Sequence, residues 1–428
     1  MSTNYTTKDT TAVATEPTVS STADTGGASS STPAPPRLTP RKRLAELLAG
    51  DLRALPVIAG LAVLVLIFSL QSDFFLSSRN LSNLLVQAVV TGIIALGLVF
   101  VLLLGEIDLS VAAISGVCAV LMAKVIAETG LGNIPAVVIA VVTGAAIGAI
   151  TGTWATRFLV PTFVVTLGLG LILNGAQLQL LPRTGRYNLG GTGIEDIAGS
   201  FVTGLWSWVL VLVAVALVAL LKLTHHQRKT EHGIDSSLLK NVALPVALTA
   251  VAGILIVSVL DANAGIPTPV VIFGILLAIA SYILTETRFG LSLYAVGGNA
   301  EAALRSGIKV DRVKITAFAL AGGLAALAGI IAASRLLGVS VSSGGGIGGG
   351  ALLLNAIASA VIGGVSLFGG RGRASSALLG ALIIATVGNG LNLLGVSTDV
   401  QLLVTGALLV MAVTVDRSVE RLTGSVGR

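Results

Sequence analysis

ETRFGLSLYAVGGNAEAALRSGIKVDRVK, residues 286–314, decides how the rest of the chain is read. It carries eight ionisable side chains: Glu286, Arg288, Glu301, Arg305, Lys309, Asp311, Arg312 and Lys314. At about 3 kcal/mol for each charge at the centre of a bilayer, placing this island in hydrocarbon would cost on the order of 20 kcal/mol. Leu, Ile and Val residues return only about 0.3–0.6 kcal/mol apiece, so the island stays in water. The segments on both sides are long and apolar. The island therefore reads as a hydrophilic loop held between two membrane-crossing helices, a form suited to docking a soluble partner.

Composition extends that reading to the whole chain. Its 428 residues are 54% hydrophobic and 11% charged, with a mean hydropathy of +0.95. Soluble domains carry about 25% charged residues, so the chain is an integral membrane protein. The single cysteine, Cys118, lies in an apolar run and supports no disulfide framework. His225, His226 and His232 share one hydrophilic loop without acidic or thiol partners at ligand spacing, which reads as solvated loop and not as a metal site. Residues 1–36, rich in Ser, Thr, Ala and Pro, read as a disordered cytoplasmic tail. A basic juxtamembrane segment follows at 37–53. The first apolar run begins near Pro56, so no cleavable signal peptide is expected.

Twelve apolar runs are long enough to form helices crossing most or all of a bilayer, which makes the fold class all-α and polytopic. They fall near 54–70, 83–104, 109–128, 134–156, 160–181, 204–222, 239–260, 266–285, 315–337, 351–367, 375–395 and 398–415. Residues 54–415 thus form one membrane domain, and 416–428 a cytoplasmic C-terminal tail. The tenth run is short and flanked by glycines, so a re-entrant or broken helix competes with a full crossing. With the N-terminus inside, the inner segments hold 20 lysines and arginines and the outer loops 3. That asymmetry is the positive-inside pattern of a plasma-membrane protein with the island in the cytoplasm. The net charge of +6 follows from it and implies no nucleic-acid partner. Among the 52 glycines, Gly144, Gly148 and Gly152 recur at a spacing of four, and Gly322 and Gly323 lie near Gly329. Small residues so spaced let membrane helices approach closely.

No G-x-x-x-x-G-K-[ST] loop occurs, and the chain contains no Gly-Lys dipeptide. Gly369-Gly370-Arg371-Gly372-Arg373 lacks the lysine and hydroxyl of a phosphate loop. The chain is therefore not expected to hydrolyse ATP, and no catalytic set or cofactor site is evident. Within the island, Gly297-Gly298-Asn299 reads as a turn and the AEAALR run from Ala300 to Arg305 as a short helix that Gly307 ends. Asn299 is placed to cap it, with Glu301 toward the positive end of its dipole and Arg305 toward the other.

Glu106 and Asp108 lie in a tight connection between two apolar runs. Asp108 could cap a helix starting at 109; a proton-relay carboxylate is the sharper alternative. No paired intramembrane base is evident, which argues against a proton-coupled carrier. Five amides in apolar surroundings, Gln87, Asn174, Gln177, Asn389 and Asn392, are candidates for a substrate pathway, since amides suit sugar hydroxyls. Interhelical hydrogen bonds are an equal use for them.

The string Leu293-Tyr294-Ala295-Val296-Gly297-Gly298-Asn299-Ala300-Glu301-Ala302-Ala303, followed by Ser306-Gly307-Ile308, resembles the coupling segment of bacterial monosaccharide ABC importer permeases, the ribose, xylose, arabinose and galactose group. Further likeness runs from about residue 75 to 415. It includes Glu106-Ile107-Asp108-Leu109-Ser110-Val111, Val160-Pro161-Thr162-Phe163, and Val361-Ile362-Gly363-Gly364 before Gly369-Gly370. The Glu-Ile-Asp-Leu-Ser form, Gly265-Ile266-Pro267-Thr268-Pro269 and an extra hydrophobic pair are most similar to xylose-type permeases. Two departures stand out: Leu353-Leu354-Asn355 where the group commonly has Glu-Leu-Asp, and Ala112 where it commonly has Gly. The resemblance implies a dimeric channel for a monosaccharide, a separate ATPase that binds ATP and docks on the island, and an extracytoplasmic sugar-binding protein. Gly297, Gly298, Asn299, Glu301, Ala302, Arg305 and Gly307 would be the residues that couple to the ATPase. The alternative function is a secondary sugar carrier driven by an ion gradient.

Overall fold

A chain in lipid must satisfy its backbone polar groups within itself, and a single apolar segment does so as a helix. The computed structural model follows that rule and describes residues 54–158, 160–231, 238–345 and 351–424. The segments read as a tail at 1–36 and a basic stretch at 37–53 lie outside these residues. The long helices are α1 (Ala54–Gln71), α2 (Ser78–Leu103), α3 (Val111–Thr129), α4 (Asn133–Arg157) and α5 (Thr162–Leu180). A short α6 (Asp196–Gly199) precedes α7 (Leu205–Glu231), and a π-helical turn at Leu239–Ala243 leads into α8 (Leu244–Leu260). Then come α9 (Thr268–Glu286), α10 (Arg288–Gly298), α11 (Ala300–Arg305), α12 (Val310–Arg335), α13 (Ala351–Ile362), α14 (Ala374–Leu393) and α15 (Thr398–Gly424). Among the described residues, nine helices are long and apolar enough to cross a membrane. The protein is a polytopic all-α bundle.

The only described strands are two-residue and three-residue clips. β1 (Arg186–Asn188) pairs antiparallel with β4 (Gly338–Ser340), and β2 (Phe201–Val202) with β3 (Ile266–Pro267). Both tie loops at the end of the bundle opposite the island.

Helix α2 is the axis of the bundle, with 83% of its spanning window buried. Helix α12 packs most extensively on α4 and then on α2 and α3. Small residues make that contact possible. A Cβ at Gly144 would lie 2.6 Å from the Gly322 carbonyl oxygen, and one at Gly152 2.8 Å from the Ile315 Cα. At Gly148 it would overlap the Phe318 carbonyl. The i, i+4 glycines of α4 thus form a flat stripe against α12, so dispersion between closely approaching backbones replaces the missing hydrophobic drive. The pair α7 and α8 has only 6% and 11% of its windows buried and stands at the periphery.

Several boundaries differ from those read from composition. Helix α7 continues to Glu231, taking in much of the basic 222–240 loop, because helix formation needs no apolar residue once the backbone ladder is under way. Helix α12 begins at Val310, so Asp311, Arg312 and Lys314 belong to its first turns and the hydrophilic island ends earlier. Helix α15 runs to Gly424, beyond the end expected at 415. The tenth run is helical only over the 12 residues of α13, which spans about 18 Å against a hydrocarbon core of about 30 Å.

The connection before α3 also departs from expectation. Glu106 meets Lys314, whereas Ser115 meets Gly329, fifteen residues further along α12. Fifteen helical residues rise about 22 Å. The chain turns at Leu104-Gly105, where Gly105 takes φ +76°, and residues 106–110 then run as irregular backbone into the bundle. Asp108 and Ser110 on it are fully buried, in line with irregular backbone at membrane depth surviving only inside protein.

The α4–α12 stripe yields a direct test. Gly148→Val should cost about 3 kcal/mol or more by forcing two backbones apart. Gly175→Val, where an added Cβ meets nothing within 4 Å, should be tolerated. Thermal unfolding in detergent should separate the two, and equal melting temperatures would contradict the packing described.

Candidate functional site

The sequence brings three glycine-bearing segments to one point at the island end. Helix α9 stops at Glu286, and Thr287 caps α10 by accepting from the Gly290 N–H. Helix α10 buries Leu293 and Val296 against the bundle and ends at Gly297-Gly298. Any Cβ on Gly297 would overlap the Leu103 carbonyl at the end of α2 and lie 2.7 Å from the Gly370 nitrogen. The Gly370 N–H donates to that same Leu103 carbonyl at 2.8 Å. A Cβ on Gly369 would stand 2.7 Å from the Gly297 oxygen. The Tyr294 hydroxyl donates to the Gly372 carbonyl at 2.9 Å. Burial pushes that phenol's pKa up, while the nearby Arg373 charge pulls it down. Backbone lies against backbone, with no side chain between to yield.

Beyond that mount the island turns outward. The Asn299 side chain accepts from the Ala302 N–H at 2.9 Å and caps α11. Ala303 alone in this helix is buried. Glu301 and Arg305 pair at 2.6 Å, one turn apart and both well exposed. Leu304 is 62% exposed beside them. Gly307, at φ +85°, turns the chain back toward α12. The result is a rigidly mounted knob presenting one charge pair and one leucine to solvent.

The two acidic candidates take different roles. Glu106 accepts from Lys314 Nζ at 2.5 Å through Oε1 and from the Thr162 hydroxyl at 2.6 Å through Oε2. A basic partner for Glu106 therefore exists, one that the sequence did not reveal because it lies 208 residues away. Asp108 does not cap a helix starting at 109. The helix starts at Val111, and Asp108 Oδ1 instead accepts from the Ser110 N–H at 2.8 Å and the Ser110 hydroxyl at 2.6 Å.

At the opposite end lies a cavity of about 460 Å³, lined among others by Gln87, Ser115, Arg186, Arg335, Ser340 and Ser343. That volume is in the range of small-molecule sites. Part of its wall is the segment 338–345, which dips back so far that Gly344 packs on the Gly116 nitrogen and the Ala112 carbonyl. Gln177 holds the segment in place: its Nε2 donates to the carbonyls of Ser340 and Ser343, each at 3.0 Å. Of the five amides singled out from sequence, Gln87 lines this cavity and Gln177 supports its wall. Asn174 carries a buried Oδ1 without a hydrogen bond, as do Gln177 at Oε1 and Asp108 at Oδ2. Asn389 is away from the cavity, exchanging two side-chain hydrogen bonds with Asn80 at 2.8 and 2.9 Å. Asn392 accepts from Gln401 at 2.8 Å near an exposed helix end. Arg186, Arg335, Ser340, Ser342 and Ser343 were missed in the sequence; the outer-loop arginine and the Ser-Gly cluster after α12 were the available signals.

A bundle of membrane-crossing helices, broken at depth in two places and with a solvent-facing knob on a glycine mount, defines a membrane permease. Residues 80–413 match the family model described as branched-chain amino acid transport system / permease component. The chain is 35% identical over 297 residues to the xylose transport system permease protein of Escherichia coli (strain K12), covering 69% of this chain and 75% of that one. It is 35% identical over 311 residues to the xylose permease of Haemophilus influenzae, covering 70% and 80%. To the ribose import permease protein of E. coli (strain K12) it is 34% identical over 286 residues, covering 67% and 71%. No solved structure matches the chain. The chain belongs to the sugar ABC importer permease family and is a multi-pass inner-membrane protein. Membership implies an ATPase subunit and a substrate-binding protein as partners.

The glycine mount makes neighbouring residues unequal. Gly297→Ala should loosen the 288–307 segment and raise its rate of limited proteolysis by about tenfold, as a strain of 1–2 kcal/mol would. Gly298→Ala, with nothing within 4 Å of the added carbon, should leave the rate unchanged. Matched rates for the two variants would contradict the mount.

Proposed function

We propose that the chain forms the membrane conduit for xylose or a related pentose, paired with a second copy of itself, with the N-terminus and the 286–314 island facing the cytoplasm. The observation that carries this reading is the 35% identity to the xylose permease over 297 residues. The 20-to-3 distribution of lysine and arginine supports the orientation. ATP is hydrolysed on the partner ATPase, and this chain, without a Gly-Lys dipeptide, supplies the docking knob. Asn299, Glu301, Ala302, Leu304 and Arg305 form the face that the ATPase grips. Closure of the ATPase then moves the knob, and the glycine mount passes the movement to the bundle as a rigid body.

Sugar delivered by the binding protein enters the cavity lined by Gln87, Ser115 and Ser340. Hydroxyl and amide groups there suit a polyol. Among the described residues no aromatic ring lines the cavity, so tight binding is left to the partner protein. The apolar outer faces of α7 and α8 rest against lipid.

Reconstitution of the chain with its ATPase and binding protein in liposomes should give ATP-dependent accumulation of labelled xylose. Accumulation of ribose but not xylose would reassign the substrate, and uptake by the chain alone on a proton gradient would contradict the mechanism. In the same system Gly298→Pro/Glu301→Arg should abolish uptake while the chain still inserts, and normal coupled transport in that variant would remove the knob from the mechanism.

A further inference from the structure

The glycine mount explains how the knob is held but not how its movement reaches the far cavity. We infer that Glu106 and Lys314 form a strut that carries displacement of the coupling segment into α3, the helix contributing Ser115 and Ala119 to the cavity wall. This inference rests on the proposed transport function. Lys314 lies in the first turns of α12, directly after the island. Glu106 opens the irregular segment that leads to the start of α3 at Val111. A push on the island end of α12 therefore reaches α3 through this ion pair, in addition to the cavity residues Gly329, Ala332, Ala333 and Arg335 that α12 carries itself.

Three features distinguish this pair from ordinary surface charge. The Lys124–Glu128 and Glu301–Arg305 pairs join residues one turn apart on a single helix, where they stiffen that helix only. Glu106–Lys314 instead joins separate elements 208 residues apart. Its side chains are only 21% and 25% exposed, so solvent screens them less than an open pair. Both carboxylate oxygens are engaged, one by Lys314 and the other by Thr162 at the start of α5. The carboxylate thus fixes α12, α5 and the re-entrant segment to one point. The irregular segment itself runs along α5: Thr166 donates to the Ile107 carbonyl at 3.5 Å, and Gly170 approaches the Leu109 carbonyl.

Glu106 and Lys314 are positioning residues in this scheme; neither touches substrate. The test uses the full complex of permease, ATPase and binding protein in liposomes, reading ATP hydrolysis and xylose uptake together. Glu106→Gln keeps the shape and the Thr162 contact but removes the charge. It should leave basal hydrolysis and the melting temperature of the complex near wild type, while sugar transported per ATP falls about tenfold, within what coupling positions carry. The reversed pair Glu106→Lys/Lys314→Glu should restore at least half of the wild-type ratio. The neutral pair Glu106→Gln/Lys314→Gln should be no worse than either single change, as expected when both act through one interaction. An unchanged ratio in Glu106→Gln would overturn the strut. So would a fall matched by an equal loss of thermal stability, or additive losses in the neutral pair. If the wild-type complex itself shows no ATP-driven uptake, the transport reading fails first and the strut with it.

Discussion

Everything functional at the island end depends on the contact between Gly297 and the Leu103–Gly370 backbone. Three chain segments meet there with no side chain between them, and only glycine permits that approach. A flexible side chain at this point would act as a spring. Backbone against backbone acts as a hinge pin, because peptide groups locked by a hydrogen bond have no rotamers to exchange. The knob formed by α10 and α11 is consequently part of the bundle in mechanical terms, though it is solvated and charged in chemical terms.

The same economy of side chains recurs through the membrane. Helices α4 and α12 close on each other through Gly144, Gly148, Gly152 and Gly322, which gives the bundle a rigid seam. Against that rigid seam stand two irregular stretches, residues 105–110 and 338–345. Both pack against neighbouring helices and are held by side chains that serve backbone groups. Gln177 donates to carbonyls of the second stretch, and the Asp108 carboxylate accepts from the Ser110 N–H in the first. Irregular backbone inside a bilayer exposes polar groups that a helix would hide. Here the second stretch supplies part of the polar wall of the cavity. The scaffold is regular where it must resist and irregular where it must recognise or move.

What the sequence revealed follows from the range of the interactions involved. The Asn299 cap and the Glu301–Arg305 pair span three and four residues, so the local string was enough to place them. The small-residue stripe of α4 was legible because its period is that of a helix. The fold class was legible because twelve apolar runs leave few alternatives. Partners across the bundle were not legible. Asn389 satisfies Asn80 at a separation of 309 residues, and nothing in either string marks that pairing. The Lys314 partner of Glu106 was hidden for the same reason, and its absence from the sequence reading made the acid look unpaired. The re-entrant segments were read as a turn and as a loop because hydropathy records what a residue prefers, not how deep its backbone lies. Gly105, Ser110, Ser340, Ser342 and Ser343 are polar or small, and those residues suit an exposed loop and an irregular segment packed between helices alike.

The central claim is that the knob and the bundle move as one piece. The most direct measurement is the distance between a spin label on exposed Ala302 of α11 and one on Phe368, in the loop that packs on Gly297, within one copy of the assembled complex. Double electron–electron resonance should give the same distance distribution in the nucleotide-free, ATP-bound and ADP-bound states. A shift of several ångströms between those states would show that the knob swings on the bundle, and would contradict the account.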